Sequence, residues 1–139
     1  MARTFSSNVA LENAMQSAAT KAVETTCNRL LGTLQEYIIS EYYDLFTPDQ
    51  YRRTYQFFES AMMQMINKNM GEIFMNSDAM NYGEYWDGIT QLYMSNAGYH
   101  GSVDIYENGH FWNKFIEYCN KNAISILKQE LKNNGLNVI

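Results

Sequence analysis

The sequence changes character at Tyr42-Tyr43-Asp44-Leu45-Phe46-Thr47-Pro48-Asp49-Gln50-Tyr51-Arg52-Arg53-Thr54-Tyr55, which holds the single proline of the 139-residue chain. Linkers are usually small and polar, whereas this junction segment (42–55) is rich in aromatic rings. Pro48 cannot sit inside a helix and pushes Thr47 toward an extended conformation, so a long helix is predicted to end near Phe46. Thr47 and Pro48 then suit the start of a short helical turn over 48–52.

Before the junction segment, residues 8–46 carry the pattern of a long amphipathic helix, and residues 1–7 form a flexible arm. Apolar side chains recur there at helical spacing: Leu11, Met15, Ala18, Ala22, Val23, Cys27, Leu30, Leu34, Ile38 and Tyr42. At about 1.5 Å of rise per residue the helix is long for a small domain, so one end is expected to project. Gly32 and Thr25-Thr26 are weak helix formers where a bend or break is allowed.

After the junction segment, the pattern predicts a β-hairpin over 55–80, a loop-rich region over 81–110 and a second amphipathic helix over 111–133. Asn134-Gly135 is a typical helix stop. The expected fold is therefore a single α+β domain, in which two long helices pack on a small antiparallel sheet.

Within the hairpin, residues 61–66 and 72–75 are the predicted strands, and Tyr55–Phe58 is expected to lead into the first. The Met-rich run 61–66 also suits a helix. The short spacing and the turn at Lys68-Asn69-Met70-Gly71 favour a strand, with Gly71 expected to supply a positive φ.

The composition is that of a globular protein, with 46% hydrophobic and 18% charged residues and a net charge of −5. Such a balance argues against direct nucleic-acid binding. Between residues 72 and 107 there are six acids and no Lys or Arg: Glu72, Asp78, Glu84, Asp87, Asp104 and Glu107. This stretch is either a solvated face or an acidic surface that meets a basic partner.

The two cysteines, Cys27 and Cys119, fall in helix-like segments without metal-ligand spacing, and each is expected to be a small buried hydrophobe. No signal peptide and no apolar run long enough to span a membrane is visible, so synthesis in a reducing cytoplasm without a membrane partner is expected.

No catalytic, cofactor or metal motif is recognisable. His100 and His110 flank Asp104 and Glu107, but their spacing matches no helical metal-ligand motif, and ordinary surface or capping histidines are expected. The glycines of 83–109 form no phosphate-binding pattern. The sequence therefore predicts no enzyme activity, no cofactor and no metal.

The junction segment has two open interpretations. Arg52 and Arg53 either cap the short helix in solvent or stack and pair with neighbouring rings and acids. The aromatic rings likewise either lie in the core under the hairpin or contact a partner. The candidate partner-contact residues are Tyr42, Tyr43, Phe46, Tyr51, Arg53, Tyr55, Tyr99 and His100.

The pattern Tyr42-Tyr43-x-x-Phe46-x-Pro48-x-x-Tyr51-x-Arg53-Thr54-Tyr55-x-x-x-x-Ser60 resembles tail-component and head–tail connector proteins of tailed bacteriophages, similar to the HK97 gp10 family. The loop ending in Gly98-Tyr99-His100-Gly101 is similar to the loop that follows the hairpin in those proteins. The usual Thr-Gly-x-Leu entry to the strand is replaced here by Arg53-Thr54-Tyr55-Gln56-Phe57.

The resemblance implies a structural virion protein at the head–tail junction, neck or tail, made in the bacterial host cytoplasm. Its partners would be further copies in a ring, a hexamer or dodecamer, and neighbouring connector or tail proteins. A ring needs two different patches, for which the long helix and the loop 81–110 are the candidates. Two other classes stay open: a bacterial adaptor or regulatory binding module, and a small enzyme using the acidic loop 84–110.

Overall fold

The long N-terminal helix α1 (Asn8–Glu41) packs against both the hairpin and the second long helix. Ser7 caps its start, since the Ser7 Oγ accepts a hydrogen bond from the Ala10 amide at 3.1 Å. The helix runs unbroken through Gly32, and the Thr26 hydroxyl donates to the carbonyl of Ala22 at 2.8 Å. At about 1.5 Å per residue, α1 is about 50 Å long.

The computed structural model describes residues 4–41, 56–79 and 110–138, together with 92, 96, 99–100 and 103–104. The further elements are α2 (Gln56–Glu59), β1 (Ala61–Asn67), β2 (Met70–Met75), a 3-10 turn at Ser77–Ala79, β3 (Tyr99–His100), β4 (Val103–Asp104) and α3 (Phe111–Asn133). The predicted α+β class, with a long helix at each end and a small antiparallel sheet, is confirmed. The predicted end of α1 near Phe46 and the helical turn at 48–52 lie outside the described residues.

The helix α3 packs antiparallel to α1. Near the end of α3, Arg29 Nη1 contacts Glu130 Oε1 at 2.8 Å. Near its start, Lys114 Nζ contacts Glu41 Oε1 at 2.7 Å. Between α1, α3 and the hairpin lies a core of buried apolar side chains: Leu30, Leu34, Ile38, Phe57, Ala61, Phe111, Phe115 and Ile126.

The hairpin joins β1 and β2 in antiparallel register from Ala61↔Met75 to Asn67↔Met70. The prediction that Gly71 supplies a positive φ in the turn is wrong. The Asn67 side chain closes the turn by accepting from the Asn69 amide at 2.8 Å. Gly71 instead lies in β2, where its missing side chain lets the strand approach Cys27 of α1.

The predicted entry into the hairpin also differs from the structure. Residues Gln56–Glu59 form one helical turn, α2, and not the start of a strand. The ladder pairing of β1 with β2 runs from Ala61 onward, and the helical turn before it satisfies the Ser60 amide with the carbonyl of Gln56 at 2.9 Å. The turn places Phe57 edge-on against Phe111, with ring centroids 5.1 Å apart.

Both ends of α3 are closed by specific hydrogen bonds. His110, at φ 69°, makes no side-chain cap; instead Asn96 Oδ1 accepts from the Trp112 amide at 3.0 Å. At the other end, Gly135 at φ 89° lets the Leu136 amide bond to the carbonyl of Leu131 at 2.9 Å. The tail after α3 is thereby turned back toward α1.

Candidate interaction surface

The N-terminal part of α1 extends beyond the end of α3. The Arg29–Glu130 contact lies close to Asn133, the last residue of α3. Because the helices are antiparallel, the part of α1 before about residue 26 runs past that end, which is roughly 25 Å of helix. The apolar stripe of α1 therefore continues where α3 no longer covers it.

This uncovered part of α1 and the tail after α3 enclose a groove of about 870 Å³. The α1 groove is lined by Phe5, Leu11, Ala14, Met15, Ser17, Ala18, Lys21, Asn133, Asn134, Gly135 and Leu136. Leu11 is 38% exposed and Met15 50%, whereas Ala22, further along the stripe, is fully buried. Apolar side chains exposed along a groove favour a protein–protein contact.

A second exposed apolar surface lies on the outer side of the hairpin. Alternate residues of β1 and β2 face away from α1, and this hairpin face consists of Met62, Gln64, Ile66, Met70, Glu72 and Phe74. Ile66 is 54% exposed and Met70 52%. At its centre, the Gln64 side-chain amide donates to the Glu72 carboxylate at 2.8 Å.

The groove and the hairpin lie on opposite sides of α1. The Gln16 side chain bonds to Asn69 at the hairpin tip at 2.6 Å, and Cys27 packs against Gly71. Successive residues of an α-helix are rotated by about 100° around its axis. The α1 residues that line the groove therefore point, on average, roughly 180° away from Gln16 and Cys27. The two exposed apolar surfaces therefore face in opposite directions.

Most of the residues that were predicted from the sequence to contact a partner lie outside the part of the chain that the structure describes. Tyr42, Tyr43, Phe46, Tyr51, Arg53 and Tyr55 lie outside the described residues. Tyr99 and His100 form β3, which pairs with β4 in the register Tyr99↔Asp104 and His100↔Val103. The loop 81–110, proposed as one ring patch, is described only at a few positions.

One of the two surfaces was predictable in part from the sequence, and the other was not predicted. Leu11 and Met15 were recognised as the start of the α1 stripe, but a stripe alone does not show where its covering helix ends. The hairpin face had a usable signal, because Met62 and Ile66 alternate with the inward-facing Met63 and Met65.

Little in the described part of the chain points to chemistry. Cys27 and Cys119 are free thiols, and burial raises the pKa of each, which makes them poor nucleophiles. Among the described residues, no three His, Cys, Asp or Glu side chains cluster closely enough to hold a metal ion. In that same part, no helix has the length and apolar character needed to span a membrane.

Comparison with known proteins identifies a family. The profile of the family described as YomN matches residues 7–133, nearly the whole chain. The YomN name comes from the SPbeta phage-derived region of Bacillus, which makes this a phage-associated protein. That match supports the phage association implied by the sequence pattern but not the HK97 gp10 family. No curated protein and no solved structure matches the chain.

Proposed function

The chain belongs to the YomN family, and from this we propose that it is a structural assembly protein of a tailed phage. In this proposal it forms part of the head–tail connector, the neck or the tail-completion ring. It acts by binding other copies and neighbouring connector or tail proteins, without catalysis, cofactor or nucleic-acid contact.

The exposed part of the α1 stripe is the observation that carries the proposal. A helix that served only its own domain would end its apolar stripe where its partner helix ends. Leu11 and Met15 continue the stripe into solvent, and Phe5 adds a third exposed side chain, at 36% exposed. Removing these side chains from water is the favourable term that contact with another protein supplies.

The charge of the protein is compatible with this role. The net charge is −5, and Lys21 is an exposed cation that lines the groove. A contact surface with an apolar centre and charged residues at its rim is typical of specific protein interfaces. The charges then set which neighbour binds and in which orientation.

The test is the protein content of purified phage particles. Particles induced from a host that carries the gene are banded on a density gradient and examined by quantitative mass spectrometry. The proposal expects this protein in the particle at a fixed number of copies relative to the portal protein, and expects tailless heads when the gene is deleted.

A protein that is absent from intact particles, with normal particles formed in its absence, would contradict the assembly role. The matched control is a deletion of a neighbouring gene whose product is not in the particle. That deletion is expected to leave both the heads and the tails unchanged.

A further inference from the structure

We propose that neighbouring copies of this chain join head to tail, with the hairpin face of one copy seated in the α1 groove of the next. This proposal rests on the assembly role given above and identifies the two surfaces that would build the ring. The occupant of the groove is therefore a second copy of the same chain.

The placement of the two surfaces is the first argument. A closed ring requires a heterologous contact, in which one patch binds a different patch on the next subunit. The α1 groove and the hairpin face lie on opposite sides of α1, as the Gln16–Asn69 and Cys27–Gly71 contacts show. Copies placed side by side would therefore bring the hairpin face of one against the groove of the next.

The shape and polarity of the surfaces are the second argument. The groove is concave, and apolar side chains line it from Phe5, Leu11, Ala14, Met15, Ala18 and Leu136. The hairpin face is the outer side of a two-stranded sheet, and Met62, Ile66 and Met70 on it are each more than a third exposed. A projecting apolar sheet face fits a groove of this kind better than a second groove does.

The charges are the third argument. Lys21 is an exposed cation that lines the groove. Glu72 is an exposed anion at the centre of the hairpin face, where it already holds the Gln64 amide at 2.8 Å. Seating one surface on the other places an acid opposite a base, which favours this pairing over groove against groove or hairpin against hairpin.

The experiment uses two variants that each block one surface. Met15→Asp places a charge in the groove, and Ile66→Asp places one on the hairpin face; both side chains are at least half exposed, at 50% and 54%. The matched control is Ile124→Asp, because Ile124 is 71% exposed on α3 and belongs to neither surface. Circular dichroism and the melting temperature check that each variant folds.

Light scattering coupled to size exclusion gives the mass of each sample. The wild-type protein and Ile124→Asp are expected to form the same oligomer, whereas Met15→Asp and Ile66→Asp are each expected to be monomeric. A mixture of the two blocked variants retains one intact groove and one intact hairpin face. It is therefore expected to form a one-to-one dimer and nothing larger.

A second pair of variants tests the charges. Lys21→Glu and Glu72→Lys are each expected to raise the dissociation constant several-fold, because each leaves two like charges facing. The double variant Lys21→Glu, Glu72→Lys restores an opposite pair within every contact, and it is expected to recover most of the wild-type affinity.

Three results would overturn the proposal. The first is a wild-type protein that is monomeric at every concentration. The second is an oligomer that survives both blocking variants, in which case the interface lies elsewhere. The third is a dimer formed by Ile66→Asp alone, which would show groove binding to groove. None of these results bears on whether the protein is present in the particle, so the assembly role stands or falls separately.

Discussion

Replacing Gly71 with alanine tests how the hairpin is seated on α1. A methyl group at this position would collide with the Cys27 Sγ and would lie 3.2 Å from the Met65 Sδ. Because Cys27 is buried in α1, its sulfur cannot simply move into solvent. Overpacking of this kind costs about 1–3 kcal/mol of unfolding free energy. For a chain of this size that is roughly a 3–12 °C fall in melting temperature.

The structure also predicts how this loss is recovered. Cys27→Ala removes the sulfur that the new methyl group meets, so Gly71→Ala in that background is expected to be nearly neutral. Chemical denaturation of the wild type, both single variants and the double variant gives the coupling free energy, expected at about 1–2 kcal/mol in favour of the double variant.

Gly32→Ala is the matched control, since both changes add one methyl group to a glycine. Apart from its two chain neighbours and the backbone of its own helical turns, no atom of the described residues lies within 4 Å of the position where the Gly32 methyl would be. The residue is inside α1, so alanine is expected to stabilise the protein by about 0.5–1 kcal/mol. A neutral Gly71→Ala, or a double variant no more stable than the sum of the single changes, would refute the close approach of β2 to α1.

Three further predictions concern the core, an ion pair and a thiol. Leu34→Ala removes a fully buried side chain of the core, and denaturant unfolding is expected to show a loss of about 2–5 kcal/mol. Arg29→Ala leaves the largely buried Glu130 carboxylate without its partner at 2.8 Å, so the unfolding free energy is expected to fall by about 1–2 kcal/mol. Lys121→Ala removes one member of an exposed pair and is expected to leave the melting temperature unchanged. Burial raises the pKa of Cys27 above its ordinary 9.0, so the folded state holds the thiol proton more tightly than the unfolded chain. The contribution of the Cys27 thiol to the unfolding free energy is fully present below about pH 9 and is lost as the pH rises through the raised pKa. Above about pH 9, the unfolding free energy of the wild type is therefore expected to fall relative to that of Cys27→Ala.

The helices and the hairpin were predictable because their signals are local. The residues that form each signal lie close together in the chain: the apolar spacing of α1, the stop at Asn134-Gly135, and the turn at 68–71 between two short strand-like runs. Such patterns report the period of the backbone directly. The role of Gly71 was misjudged because glycine suits a turn as well as a strand that closely approaches another element, and only the approach of α1 decides between the two.

The interaction surfaces were less predictable because they depend on relative positions. Whether Leu11 and Met15 are covered depends on where α3 ends beside α1, which follows from the Arg29–Glu130 pairing and not from either helix alone. The helical turn at 56–59 likewise follows from the register of a strand partner more than ten residues away. The junction segment, which carries most of the phage-like pattern, lies outside the described residues.

The most direct test of the proposed assembly is a carbodiimide cross-link between copies. Carbodiimide joins a lysine to a carboxylate in direct contact, and Lys21 and Glu72 of one copy lie on opposite sides of α1. Protein labelled with 15N is mixed with unlabelled protein, allowed to assemble, cross-linked and digested. Seating of the hairpin face in the α1 groove of the next copy is expected to give a Lys21–Glu72 peptide pair that carries one labelled and one unlabelled partner. An oligomer whose cross-links never join these two residues between copies would contradict it.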